Sequence, residues 1–385
     1  MKQSVVSRRN VIAGAGCLAG LAALSGCTAG KKERLRIAKT ELFRVAVPMQ
    51  PDIIHSAEIV EPDFAMVPKY ILKVHTDTGI VGVGETYRGE NGARLRENAA
   101  AFQGKNILDM DLAKLSMPNG AGYGAFESAF YDIVGKAFGW PVYKLLGSLA
   151  QPKVLVGYWC GRKNAKDMRR VAERAVAGKF TSIKMKAKKG DPVVEAIAAI
   201  RDVNADLKVI IDPNTRWYTY AEWLPVAKEL DKIGNVIVME DPFEKSDLAG
   251  YRKLREQMKS LVAQHLGDPR AMMTAIRAGA VSAFNTGPSP SMASFVSNCY
   301  LAGAAGMPVW HGSGHDMGIL DASYLHSCAA AANCTLPSDI LSYQRVDDLL
   351  VKPIEIRDSY AIVTHEPGLG IELDDDAVKR YAVAE

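Results

Sequence analysis

The sequence has almost no surplus of charge: 47 lysines and arginines stand against 43 aspartates and glutamates, a formal +4 over 385 residues. The basic residues are dispersed, which gives no footing for a nucleic-acid surface. Cysteine is scarce and unpatterned. Of six, Cys17 and Cys27 fall in a leader, and Cys160, Cys299, Cys328 and Cys334 show no close metal-type pairing. Export would permit a disulfide between Cys328 and Cys334, but buried free thiols are the plainer reading. Long apolar runs are lacking too, since the stretch from Val11 to Leu24 is too short for a comfortable permanent span. There is no low-complexity tract. What remains is an ordinary globular composition, 48% apolar and 23% charged, with length for one large barrel and a smaller domain.

The leader is separate from the fold. Ser7-Arg8-Arg9-Asn10-Val11 reads as a twin-arginine export signal, and Leu24-Ser25-Gly26-Cys27 as a lipoprotein processing site with Cys27 acylated. Residues 1–27 are therefore expected to be signal and residues 28–34 a tether. The expected location is the periplasm or cell envelope, with membrane contact only through the lipid.

From Leu35 the pattern becomes structural. Leu35–Ala38, Glu41–Val47 and Tyr70–Thr76 read as strands, the last turning at Asp77-Thr78-Gly79 into Ile80–Glu85. Residues 91–146 are mostly helical by apolar spacing, with a glycine stop at Gly147. Residues 35–150 thus read as an α+β domain. From Val154 strands alternate with helical patterns such as Ala165–Ala177 and Val193–Val203. The strand cores are Val154–Tyr158, Ser182–Lys186, Val209–Asp212, Val236–Glu240, Leu261–Gln264, Ala280–Phe284 and Pro308–His311. Regular βα units argue for a parallel barrel over residues 151–345. Residues 346–385, with strand patterns at Ile354–Ile356 and Tyr360–Val363, are expected to return to the first domain.

Barrel enzymes carry their reacting groups at the C-terminal ends of strands. Those ends hold Lys184 and Lys186, Asp212, Glu240, Gln264 or His265, Asn285 and His311, one polar site per unit facing one mouth. Gly82-Val83-Gly84 is a hairpin feature with no dinucleotide-binding context.

Ser182-Ile183-Lys184-Met185-Lys186, Ile211-Asp212-Pro213-Asn214 and Met239-Glu240-Asp241-Pro242-Phe243 resemble the mandelate racemase and muconate lactonizing branch of the enolase superfamily. Glu41–Val45, Gly79–Glu85, Phe130–Lys136 and Pro141–Gly147 are similar to its capping domain, so the resemblance runs from about residue 35 to residue 375. It implies a (β/α)7β TIM-like barrel with an N-terminal α+β capping domain completed by the C-terminal segment. It also implies a divalent metal, Mg²⁺ first, on Asp212 and Glu240, and abstraction of a proton α to a carboxylate. The chemistry is coherent, because so weak a carbon acid yields to an amine only if its enediolate is stabilised by a cation. Lys186 is then the expected base, with Lys184 a lasting charge on the same strand face. Asn214, Asp241, Asn285, His315 and Asp316 stand around them, against substrate or ligands.

The sequence departs from the family at two strand ends. The third metal ligand, usually acidic, falls on Gln264 or His265, and an imidazole there would favour Mn²⁺, Fe²⁺ or Zn²⁺. The sixth strand ends in Asn285, where the family carries an acid or a lysine. That leaves His311 as an expected general acid, with a structural histidine beside Trp310 as the alternative and His315 and Asp316 as a replacement dyad. The expected activity is dehydration of a sugar acid or similar small carboxylate, by a homo-oligomer. The alternatives are a racemase or epimerase and a non-catalytic ligand-binding lipoprotein. His55 and Glu58, in a loop from Met49 to Val67, and Gly161-Arg162-Lys163 are further candidates near the mouth.

Overall fold

The computed structural model describes residues 34–384 except 52, 58, 60–64, 216, 217 and 288–290. The leader with Cys27, and Glu58, lie outside the described residues. Three antiparallel strands come first: β1 (Ile37–Val45), β2 (Lys69–Thr76) and β3 (Val81–Glu85). Gly79 turns β2 into β3 with φ of +82°, where a side chain would be strained. Three helices follow: α1 (Gly92–Phe102), α2 (Tyr123–Phe138) and α3 (Val142–Leu146). Helix α2 lies flush on β3, because a Cβ at Gly82 or Gly84 would run into the carbonyls of Ala129 and Ala125. Leu72, Val74, Leu95, Phe102, Phe126 and Phe130 fill the core between this sheet and its helices.

The barrel alternates strand and helix: β4 (Lys153–Leu155), β5 (Tyr158–Cys160), α4 (Ala165–Ala177), β6 (Ser182–Lys186), α5 (Val193–Val203), β7 (Lys208–Asp212) and α6 (Tyr220–Ile233). It continues with β8 (Val236–Glu240), α7 (Leu248–Gln257), β9 (Leu261–His265), α8 (Pro269–Arg277), β10 (Ala283–Asn285), α9 (Met292–Ala304), β11 (Val309–Trp310) and α10 (Gly318–Ala329). Strands β5 to β11 form one parallel sheet in chain order. The helices cover it with amphipathic faces, as in α4, where Met168, Val171, Ala172 and Ala175 are the buried positions. An irregular eighth segment closes the curl. Leu336 N donates to Val309 O at 3.3 Å and Asp339 N to His311 O at 2.7 Å, while on the other edge Ser338 N donates to Leu155 O at 2.8 Å.

Two strand readings change. Val154–Tyr158 is not one strand: β4 leaves the barrel and pairs with β13 (Tyr360–Ile362), itself paired with β12 (Ile356–Arg357), and β5 begins only after Gly157. The strands at 356–362 therefore sit against the start of the barrel. The capping layer receives the last stretch of chain instead, through Leu369 N to Asp132 Oδ1 (2.8 Å) and Val383 N to Arg44 O (2.9 Å), around helix α11 (Asp375–Arg380).

Two buried acids of the capping domain fasten it to barrel helices. Glu127 of α2 accepts from Ser291 Oγ and Met292 N, each at 2.7 Å, at the start of α9. Glu85 accepts from Met317 N (2.8 Å) and Leu320 N (3.0 Å) at the start of α10. Both satisfy N–H groups that a helix leaves unpaired in its first turn. Lys69 Nζ joins Glu85 (2.9 Å) to Asp316. Cys160, Cys299, Cys328 and Cys334 are buried free thiols.

Candidate active site

Alternation along the strands decides what faces the barrel interior. Ile210, Val238, Ala263, Ala283 and Trp310 meet in one cluster inside the barrel. Asp212, Glu240, His265 and Asn285 each come two residues later on the same strand and so stand one layer higher on the same inner face. Lys184 and Lys186 share the inner face of β6, where Lys186 pairs in register with Asp212.

Lys184 is the hub of this layer. Its Nζ lies 2.8 Å from Glu240 Oε2, 3.0 Å from Asp339 Oδ2 and 3.9 Å from Asp212 Oδ2, and 5.8 Å from the ring centre of Trp310. Burial works against its charge, but Asp339, Glu240 and Asp212 outweigh it and raise the pKa, so Lys184 stays an ammonium. Lys186 reaches Asp212 and, at 3.1 Å, Asn214 Oδ1. Its side chain is 23% exposed against 3% for Lys184, which makes it the amine that a ligand can meet. Burial pushes the Asp212 carboxyl up, yet Lys186 and Lys184 prevail and hold it below the usual range. Glu240 is raised by burial and by Asp212.

On the far side, Asn285 Nδ2 donates to Glu240 Oε1 at 2.7 Å, and His265 Nδ1 lies 3.8 Å from the same oxygen. Burial, with Lys245 and Lys184 adding to it, pushes His265 down to about 3, so its imidazole is neutral at neutral pH. Asp241, raised to about 7 chiefly by burial, accepts from His265 N (3.0 Å) and pairs with Lys245 (3.1 Å). Asn214 and Asp241 both have positive φ, +58° and +45°, as the chain turns sharply out of β7 and β8. A cleft of about 350 Å³ opens beside His265 between capping domain and barrel, lined by Tyr87, Glu90, Tyr123, Leu320 and Tyr324 among others.

Two sequence candidates are not in this layer. Gln264 falls between inward-facing Ala263 and His265, points to the helical side and donates to Lys245 O at 3.0 Å. Of the pair left open by spacing, only His265 faces the mouth. His311 likewise follows inward-facing Trp310 and lies behind the strand, its ring stacked on Tyr324 at 3.9 Å and tilted on Phe295 at 4.5 Å. Its Nδ1 is spent on Gly312 O at 2.6 Å, and burial pushes its pKa to about 4. The position expected of a general acid at the mouth is thus not where His311 stands. His315 does reach the mouth, edge-on to Trp159 with ring centres 4.8 Å apart. Asp316 does not pair with it there, since its carboxylate is taken by Lys69, Gly314 N, Ser313 and Tyr324 (2.8 Å). His55 Nδ1 accepts from Arg162 N at 2.9 Å, and Arg162 pairs with Asp191 at 2.5 Å, so the lid loop and the first barrel loop are bound to each other.

Residues 167–377 match the family model described as enolase C-terminal domain-like, more than half of the chain. The chain belongs to the enolase superfamily. An N-succinylamino acid racemase of Thermus thermophilus is 28% identical to it over 300 residues, 76% of each chain. An arabinonate dehydratase of Saccharolobus solfataricus is 26% identical over 272 residues, 68% of this chain and 72% of its own. The muconate lactonizing enzyme of Pseudomonas fluorescens, solved with muconolactone, superposes with a TM-score of 0.79 at 20% identity, over 91% of this chain and 100% of that one; that likeness is one of fold.

Enzymes of the superfamily bind a divalent metal, and the donor set here suits one. Glu240, Asp241 and His265 offer donor atoms that all lie within 4.8 Å of one another, two carboxylates and one neutral imidazole. Asp212 stands across Lys184 from Glu240, its Oδ2 held by Lys186. The sequence reading missed Asp339. The closing segment Leu336-Pro337-Ser338-Asp339 has no strand pattern, and Pro337 supplies no donor. Its signal was the spacing: Asp339 follows His311 by 28 residues, the same step that separates Asp212 from Glu240.

Proposed function

We propose that this superfamily member abstracts the proton α to the carboxylate of a small hydroxy acid, a sugar acid for choice, and then expels the β-hydroxyl as water. A divalent ion, when bound, supplies the positive charge that stabilises the developing enediolate. The chain's own residues supply the rest. Lys186, accessible and beside Asp212, takes the proton, and Lys184 remains charged against the carboxylates. His315, edge-on to Trp159 at the mouth, is pushed to about 3 by burial, so it donates an N–H hydrogen bond to the departing hydroxyl as a neutral imidazole, and the proton that completes the water is the one Lys186 has taken.

The observation that carries the preference for elimination is Asn285. It ends the sixth of the seven barrel strands, where Lys186 ends the second, and its amide is committed to Glu240. Racemisation through two bases needs a proton-transferring group on each face of the α-carbon, and an amide is none. Epimerisation is the second reading, favoured by the racemase named among the relatives. A carboxylate-binding lipoprotein without catalysis is the third. Export through the twin-arginine route, anchoring at Cys27 and assembly into a homo-oligomer are part of the proposal.

The deciding experiment is proton exchange in deuterated water with a panel of sugar acids. Lys186→Met keeps the aliphatic stem and removes the amine. It should lower exchange by roughly 10² to 10⁴ with the circular dichroism unchanged. Exchange that survives in Lys186→Met, or is absent from the unaltered protein with each of Mg²⁺, Mn²⁺ and Fe²⁺, sinks the catalytic reading.

A further inference from the structure

We propose that this barrel mouth selects a first-row transition ion of the Mn²⁺ and Fe²⁺ kind over Mg²⁺, with the imidazole of His265 as a direct ligand. The inference rests on the proposed function in one respect, that the ion belongs among the inward-facing acids. Two further observations carry it.

The first is the geometry of His265. Strand parity turns this side chain, and not that of Gln264, into the mouth. Its Nδ1 lies 3.8 Å from Glu240 Oε1. Two donors that share one ion at about 2.0–2.2 Å each stand about 3–3.5 Å apart, so a small turn of either side chain brings both onto a common ion. The backbone N–H of His265 is fixed by Asp241 and its carbonyl by Lys245 at 2.5 Å, which holds the residue in this place.

The second is the condition of the oxygens. Mg²⁺ depends on hard, fully charged oxygen donors in near-octahedral array and parts with its waters reluctantly. Here each carboxylate is shared. Glu240 divides its two oxygens between Lys184 and the Asn285 amide, Asp212 is held by Lys186, and Asp241 by Lys245. Three ammonium groups among the acids weaken the field that a hard ion requires. A nitrogen donor adds affinity mainly for the borderline ions, which gain more from imidazole than Mg²⁺ does.

The test uses the full chain stripped with a chelator, and reads binding rather than turnover. Mn²⁺ is titrated by the loss of its free-ion paramagnetic resonance signal, alone and against Mg²⁺, and the bound ion is examined for spin-echo modulation from a directly coordinated ¹⁴N. The expected result is a preference for Mn²⁺ over Mg²⁺ of at least about tenfold, with ¹⁴N modulation present. His265→Asp should abolish the modulation and bring the two ions closer in affinity by improving Mg²⁺. If that variant folds poorly, the ¹⁴N signal of the unaltered protein decides alone. Bound Mn²⁺ without ¹⁴N modulation, or Mg²⁺ that competes on equal terms, overturns the inference and leaves the proposed function standing. No bound ion at all, or binding that Asp212→Asn and Glu240→Gln leave intact, overturns the location of the site as well.

Discussion

Lys184 Nζ and Asp339 Oδ2 lie 3.0 Å apart, so the irregular closing segment of the barrel is tied to its second strand by a buried ion pair. Asp339 is a positioning residue in this arrangement: it holds the ammonium level with Glu240 and Asp212. Asp339→Asn keeps the shape and removes the charge. It should lower kcat about 10- to 100-fold while KM changes little, as for other groups that orient a ligand or its partner. Unchanged kcat in steady-state assays would remove Asp339 from the site.

His311 and His315 should separate cleanly. His311 is packed against Tyr324 and Phe295, so His311→Asn should lower the thermal midpoint and leave α-proton exchange and water loss near their original rates. His315→Asn should leave exchange intact and slow water loss by about 10² or more. Equal loss of both reactions in His315→Asn would show that it does not act on the leaving group.

Stability should depend on pH through Glu127. Burial pushes this carboxyl from 4.5 up to about 7, against the hydrogen bonds it accepts at the start of α9. The folded chain then keeps a proton that the unfolded chain has already released. The stability contributed by this group is therefore fullest below about 4.5 and declines as pH rises towards 7, by about 2–3 kcal/mol. Glu127→Gln should flatten that part of the profile, which denaturant titrations at a series of pH values would measure. Parallel profiles for the two proteins would place the titration elsewhere.

Export should follow the leader. Replacing Arg8 and Arg9 by lysine should hold the chain in the cytosol, and Cys27→Ser should abolish partition of the mature protein into detergent. Cell fractionation and phase separation test both, and an unprocessed cytosolic chain as the main natural form would refute the expectation.

Spacing made the inner layer legible, but only to within one residue. Each βα unit returns a polar group to the mouth, so Lys184, Lys186, Asp212 and Glu240 could be read from intervals alone. Parity could not. A shift of one position turns a strand residue from the interior to the helices, which is why spacing leaves Gln264 and His265 open and points His311, next to inward-facing Trp310, to the mouth. Asp339 escaped because an irregular segment offers no alternation to follow. The partnership of Lys69 and Glu85 with Asp316, which the sequence offers only as a partner for His315, escapes for a different reason: 16 residues separate the first two and 247 Lys69 from Asp316, and only the folded chain brings them together.

The two acids at the helix starts have a consequence for how the molecule comes apart. Glu85 and Glu127 belong to one domain, and the amides they satisfy belong to the other. If the capping domain melted first, α9 and α10 would each lose first-turn partners, Lys69 would leave Asp316 uncompensated, and the last stretch of chain would detach with it. An early loss of one part thus raises the free energy of the other. Heating should give a single calorimetric endotherm, and a barrel expressed without residues 34–150 should not persist as a folded protein. The capping domain is in this sense no module, and a recombinant that exchanged it for a relative's would have to carry both glutamates with it.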